Sequence, residues 1–276
     1  MIEINLFDTT FTHQACSVAL QTPQSMRYVR GQMDWPGITV FVDGELYSPV
    51  VDDVRSRFKI GWLHEARALH PENYERISQV MHKFDAVMSH DAALLALGAP
   101  FIKTIRGGSW VSLDQWGMYP KSKNVSMILS EKIQLEGHQL RHAIAAAGLP
   151  IDVFGPTPFL GGNKALVYKE YCFAVVVEAC KEENFFSEHL IDALAYGCVP
   201  IYWGCPNIAS YFDPAGLMLI DRLSDLPFLL EANLMHDYWR RAPALIVNQT
   251  LARFYTITED WQIEHCLRPF VEALSC

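Results

Sequence analysis

No GxGxxG and no GxxxxGK[S/T] occurs anywhere in this sequence. The first absence removes the glycine turn on which nicotinamide and flavin enzymes seat a pyrophosphate, and the second removes a P-loop nucleotidase. Metal-ligand spacing is missing as well. The seven cysteines, Cys16, Cys172, Cys180, Cys198, Cys205, Cys266 and Cys276, form no CxxC pair, so no structural zinc is expected and no residue is assigned to a metal. Their odd number and apolar neighbours read as reduced thiols in a reducing compartment. No apolar run reaches the ~18–20 residues that a bilayer span requires. The opening MIEINLFDTTF carries acids where a basic segment and a long apolar run would mark a signal peptide. Cytoplasmic placement is therefore the default expectation, with peripheral docking on a membrane left open. Repeats and low-complexity tracts are also lacking.

Basic charge is scarce too. Lys and Arg number 22 against 31 Asp and Glu, a formal charge of -9, which argues against a nucleic acid or an anionic membrane as the main partner. An anionic ligand would need a local basic pocket. What the chain has in quantity is apolar surface: 276 residues, 50% of them hydrophobic, suffice for one large domain or two moderate ones.

Strands and helices alternate along the N-terminal half. Ile2 to Phe7, Gly37 to Val42, Phe58 to Leu63, Ala86 to Ser89 and Phe101 to Ile105 read as strands, and Thr9 to Gln24 as a short helix or extended loop. Asp43-Gly44 reads as a turn pair, Asn73 to Phe84 has a helical pattern, and His90-Asp91 opens a short helix closed by Gly98. Tyr119 to Asn124, with its Pro and short polar residues, is the best linker candidate. Beyond it, Val125 to Leu129 is a strand, Gly137 to Ala147 a helix, and Ile151 to Phe154 a strand before the Gly155 to Pro158 turn and the Gly161-Gly162 loop. Asp221 to Leu230 and Ala232 to Phe254 read as mostly helical, and Thr258 to Leu274 as one amphipathic final helix. The alternation predicts an α/β fold with open, mainly parallel sheets.

The most informative stretch is Tyr171 to Phe212, YCFAVVVEACKEENFFSEHLIDALAYGCVPIYWGCPNIASYF. Cys172 to Val177 is a β-branched run short enough for a buried parallel strand, and it ends in Glu178. Ser187-Glu188 opens a helix, Gly197 sits at its stop, and Val199 to Trp203 is the next strand. Such a βαβ unit offers a ligand the crevice beyond its strand ends, where the free amides of the helix favour an anion.

The order Tyr171, Glu178, Ser187-Glu188, Ile191-Asp192-Ala193, Val199-Pro200-Ile201-Tyr202-Trp203-Gly204 and Pro206 resembles the donor-binding motif of the alpha-1,3-fucosyltransferases, YKF-x-L-x-FENS, Y-x-TEK and VPIYWG-x-P. Two departures stand out: the family's Tyr and Lys around TEK are Phe185 and His189 here, and FENS is Val177 to Cys180. The resemblance implies a GT-B-like architecture of two Rossmann-like domains facing a cleft. On that reading residues 1–120 bind the acceptor, 121–258 bind the nucleotide sugar, and a C-terminal helix, 259–276, returns to the first domain. It further implies inverting transfer of a sugar, GDP-fucose being first in line as donor, to a hydroxyl of a glycan. No cofactor beyond that donor is implied. Asp-x-Asp, which would hold a bridging metal in the single-domain glycosyltransferases, is absent. Charge on the leaving group is then expected to fall to side chains and helix amides.

The site residues follow from this resemblance and from their chemistry. Glu65, in GWLHEARAL after a strand, is the candidate base, because the acceptor hydroxyl must lose a proton as it attacks. His64 is an equal candidate for that proton, and the bland alternative for Glu65 is a surface pair with Arg67. Arg141 would hold the departing diphosphate, since a fixed guanidinium binds two oxygens at once. Lys132 either adds a second positive charge or is simply solvated. Glu188 would accept from ribose hydroxyls or merely complement the helix dipole. His189 replaces a lysine, so phosphate affinity would depend on pH near the ordinary imidazole value of ~6.5. Glu178 binds sugar hydroxyls or loop amides. Ser187 is a helix cap first and a phosphate contact second. Tyr202 either lines the crevice or packs. The glycine pairs Gly107-Gly108 and Gly161-Gly162 would allow close backbone approach. Two other readings stay open: transfer from another nucleotide sugar, or a glycan- or nucleotide-binding protein without turnover.

Overall fold

The computed structural model describes residues 1–11, 14–18, 21–155, 163–231 and 233–274. The expected Gly161-Gly162 loop, most of the turn before it, Ala232 and Cys276 lie outside the described residues. By internal contacts the chain divides into two units: Met1–Gly108 with Glu183–Phe185 and Ile257–Cys276, and Ser109–Glu182 with Phe186–Thr256. The sequence reading sets the division near residue 120. Its linker candidate, Tyr119 to Asn124, belongs to the second unit, where the Ser122 and Lys123 amides donate to the Glu170 carbonyl.

The first unit holds β1 (Ile2–Phe7), β2 (Met26–Arg30), β3 (Asp34–Val42), β4 (Arg55–Trp62), β5 (Ala86–Ser89) and β6 (Phe101–Lys103). They form a six-stranded sheet in the order β2-β1-β3-β4-β5-β6, with every pairing parallel. Strands covered on both faces read as near-continuous apolar runs, which is why GITVFV stood out in sequence. Ile38, Val40 and Val42 of β3 join one apolar cluster, and Phe41 joins the cluster on the other face. β2 went unassigned from sequence because it is an edge strand of five residues that includes Arg27 and Arg30.

Short helices connect these strands: α1 (Val50–Asp53), α2 (Pro71–Glu75) and α3 (Ala92–Leu95). The helix expected over Asn73 to Phe84 is only α2 followed by 3-10 turns at Ile77–Gln79 and Met81–Lys83. Tight turns bring the chain round so that Phe84 packs on Phe41 at 5.9 Å and the Asp85 amide reaches the Lys59 carbonyl, where β5 begins. Asp91 caps α3 through the Leu94 amide, as its position suggested.

The second unit is built from β7 (Lys123–Ile128), β8 (Asp152–Phe154), β9 (Tyr171–Val177), β10 (Val199–Trp203) and β11 (Met218–Leu219). Their order is β11-β10-β9-β7-β8, again all parallel. Its helices are α4 (Glu136–Ala146), α5 (Ala165–Tyr168), α6 (Glu188–Ala195), α7 (Leu226–Leu230) and α8 (Leu234–Ala252). All seven residues of β9 are buried, the signature of a central parallel strand.

The last residues return to the first unit as α9 (Thr258–His265) and α10 (Arg268–Leu274) rather than as one helix. Pro269 explains the break: it has no amide to donate to the His265 carbonyl, and its ring would clash there. Cys266 and Leu267, at the break, are buried in the first unit's core.

Candidate functional site

Each sheet reverses its winding once. In the second unit the reversal falls between β7 and β9, the place where open α/β sheets bind ligands beyond their strand ends. Ile128 from the end of β7, Val175 to Val177 from β9, Tyr168, Arg141 of α4 and His189 of α6 line a hollow of about 10 Å³ there. That is room for roughly one water. Arg141 is only 6% exposed, and its Nε is buried without a hydrogen-bond partner. Burial pulls its guanidinium below the usual range, while the nearby charges of Glu178 and Glu188 push it back up. Arg141, Glu178, Glu188 and His189 are thus brought together.

The N-terminus of α6 owes its position to Glu178. This carboxylate accepts from the Ser187 amide at 3.0 Å through Oε1 and from Ser187 Oγ at 2.6 Å through Oε2. The loop-amide role proposed for Glu178 is therefore present in the structure. Burial pushes its carboxyl up, Ser187 draws it down, Glu188 adds to the rise and Arg141 opposes it. Ser187 caps the helix, its Oγ accepting from the His189 amide at 3.3 Å. Tyr202 is buried behind this pair: its hydroxyl donates toward Glu178 Oε1 at 3.4 Å and accepts from the Cys205 amide at 3.0 Å. Packing is the role its surroundings give it. The His189 Nε2 lies 3.7 Å from Glu188 Oε1, both side chains being partly exposed.

Two glycines make this assembly possible. A Cβ on Gly137, in the first turn of α4, would sit 1.8 Å from the Glu178 carbonyl oxygen, and one on Gly204 would sit 2.4 Å from Glu178 Cγ. Lys132 is exposed on the loop before α4, and its carbonyl pairs with His142 Nε2 at 3.2 Å. Its charge nevertheless reaches the neighbouring helix turn, as His138 shows.

Glu65 lies in the first unit, just past the end of β4. It pairs with Arg106 at 3.2 Å, with His64 Nε2 3.9 Å away. Arg67, the partner assigned by the bland alternative, is instead paired with Asp91 at 2.7 Å. The backbone of Glu65 is fixed from below by Asp43, whose Oδ1 accepts from the amides of His64 at 2.8 Å and Glu65 at 3.3 Å. Among the described residues no group of three His, Cys, Asp or Glu side chains is placed to hold a metal ion.

No family model and no curated protein matches this chain. Solved structures do. A crystal structure of Anabaena HepE with UDP superposes with a TM-score of 0.61 at 12% identity, over 98% of this chain and 100% of that one. An alpha1,3-fucosyltransferase superposes at 0.53 and 10% identity, over 94% and 91% of the two chains. An alpha-glucosyltransferase in complex with UDP-glucose and abasic DNA gives 0.53 at 9%, each chain fully covered. The chain has the fold of the GT-B glycosyltransferases.

Within this GT-B fold, several residues beside the site carry no mark that sequence reasoning used. His138 is buried in α4 one turn before Arg141, with Nδ1 accepting from the Leu135 amide at 3.3 Å, which leaves the ring proton on Nε2. Burial, then the charges of Arg141 and Lys132, pull its pKa down to about 4, so it is a neutral donor at pH 7. A histidine at the third position of a helix was the available signal. Arg106 lies 41 residues from Glu65 in sequence, too far for any local pattern. Asp43 was legible only as half of a turn pair; its φ of 48° and its burial show a more constrained residue. Asp192, a position matched in the motif, is buried and holds Lys164 at 3.2 Å, Ser109 Oγ at 2.8 Å and the Trp110 amide at 3.0 Å.

Proposed function

We propose that this protein is a glycosyltransferase that moves a sugar from a nucleoside diphosphate to a hydroxyl of a glycan. Arg141 carries the reading. A guanidinium buried at the switch point of a parallel sheet, with Nε lacking a partner, is poised for an anion that arrives and leaves. The desolvation of Arg141 also strengthens its attraction for charge that develops during reaction.

The chemistry follows from the residue types. Glu65 takes the acceptor proton as the hydroxyl oxygen bonds to the anomeric carbon, and the bond from that carbon to the diphosphate oxygen breaks with inversion. The leaving oxygen's charge is met by Arg141, by the positive dipole end of α6 and by His189, with Lys132 adding to the local field. Glu188, at the first turn of α6, takes the ribose hydroxyls. No step in this scheme calls on a metal.

GDP-fucose is the first donor to test, because the motif from Tyr171 to Pro206 points to it. UDP sugars are the competing arm, since Phe185 and His189 replace the residues that complete the fucosyltransferase pattern. Thermal shift with GDP, UDP and their sugars on the wild type and on Arg141→Ala tests the binding half. A nucleotide-dependent rise in Tm that disappears in the variant is expected; no rise with any nucleotide, or a rise unaffected by the substitution, overturns the reading. Glu65→Gln should then lower kcat by about 100-fold or more while leaving nucleotide binding intact.

A further inference from the structure

The first sheet reverses its winding between β1 and β3, and a crevice of about 430 Å³ opens at that point. Its volume falls in the ~300–1,000 Å³ range of small-ligand sites. Asp8 follows β1, Arg30 ends β2, Glu45 follows β3, and Phe11 and Gln14 come from the segment joining β1 to β2. The crevice therefore occupies the same topological position in its sheet as the Arg141 hollow does in the other.

Its chemistry is the opposite. The one cation among the described lining residues, Arg30, is already engaged: its guanidinium lies 3.5 Å from Asp8 Oδ2, donates to the Gln14 carbonyl at 3.2 Å and covers the Tyr28 ring at 5.6 Å. Two carboxylates against one neutralised guanidinium leave the described lining net negative, so a phosphate or a uronic acid is repelled. Carboxylates and a carboxamide are instead acceptors for an array of hydroxyl donors. Phe11 adds an apolar wall for the C–H face of a ring. That same ring packs edge-on against His64 at 5.4 Å, the residue before Glu65.

We propose that this crevice is a subsite for an uncharged, polyhydroxylated sugar ring and that it refuses phosphorylated or carboxylated ones. Resting on the transfer reading above, it is the place where the acceptor is held, and Asp8, Glu45 and Phe11 set acceptor class.

Ligand-observed NMR on the full chain tests this with two matched pairs: methyl galactoside against galacturonic acid, and methyl glucoside against glucuronic acid. At least one neutral sugar should bind, with its acid weaker by about tenfold or more. Glu45→Lys should close that gap and Asp8→Asn should weaken the neutral sugar. Melting of each variant, and its response to GDP and UDP, shows whether it is folded. Acids binding as well as neutral sugars, a ratio unmoved by Glu45→Lys, or no binding by any neutral sugar overturns the proposal. A nucleotide response without sugar binding removes this proposal and leaves sugar transfer standing; neutral-sugar selectivity without any nucleotide response keeps the subsite and removes transfer.

Discussion

Glu178 holds Ser187 twice, taking the amide with one carboxylate oxygen and the hydroxyl with the other. The end of β9 is thereby tied to Ser187, the cap of α6, and the first turn of that helix is aimed by a carboxylate rather than by the loop between them.

Glu178→Gln keeps the shape but turns one acceptor into a donor facing Ser187. Stability should fall by about 1–3 kcal/mol in denaturant titration. Ser187→Ala, which removes the cap and one of the two bonds, should lose about 1–2 kcal/mol. Both should weaken nucleotide binding through the displaced helix end. A Glu178→Gln chain as stable as wild type would show that the double bond contributes nothing.

His189 is placed in the first turn of α6, on the wall of the Arg141 hollow. An imidazolium attracts a diphosphate more strongly than a neutral ring, so affinity for GDP or UDP should rise as pH falls from 7.5 to 5.5. His189→Lys, charged throughout, should flatten the profile. Calorimetric titration at several pH values reads it directly, and parallel curves for the two proteins would reject the role.

Gly137 and Gly44 form a matched test of close packing. No heavy atom comes within 4 Å of a Cβ built on Gly44, whereas on Gly137 it would meet the Glu178 carbonyl at 1.8 Å. Gly137→Ala should destabilise by about 1–3 kcal/mol and displace the helix turn bearing His138, with loss of the nucleotide response. Gly44→Ala should stay within about 1 kcal/mol of wild type. Equal melting temperatures for the two variants would contradict the packing seen here.

Asp43 titrates in an accessible range. Burial pushes its carboxyl from 3.8 up to about 6, opposed by the bond from the His64 amide and helped by the charge of Glu65, while His70 draws it down. A carboxyl raised in the folded chain binds its proton more tightly there than when unfolded. The stability it contributes is complete below pH 4 and is lost as the pH climbs through 6. Measured against Asp43→Asn, wild-type stability should fall by about 1–3 kcal/mol between pH 4 and pH 6. A difference that stays flat across that window would mean Asp43 is not buried as described.

The β9–α6–β10 unit was readable in sequence because each of its signals is local. A β-branched run fixes β9, a serine caps α6, and Gly197 ends it at a φ of 66° that only glycine adopts freely. Arg141 and Glu188 were named through the resemblance to the fucosyltransferase motif, and both lie beside that unit. The partner of Glu65 was not legible, since Arg67 is near in sequence and Arg106 is near in space. Asp8 and Glu45 escaped notice for a similar reason: each looks like an ordinary surface acid until the parallel order of β2, β1 and β3 gathers them at one edge.

The return of α9 and α10 to the first sheet has a consequence for how the polypeptide is made. Trp261, Ile263, Phe270 and Leu274 pack against strands whose residues begin at Ile2. A ribosome that has released residue 250 has already delivered nearly all of the second unit, a compact run of chain, but the first still lacks one wall of its interior. Of the two units, the one translated earlier is therefore the later to be sealed, its apolar face staying uncovered until α9 and α10 emerge.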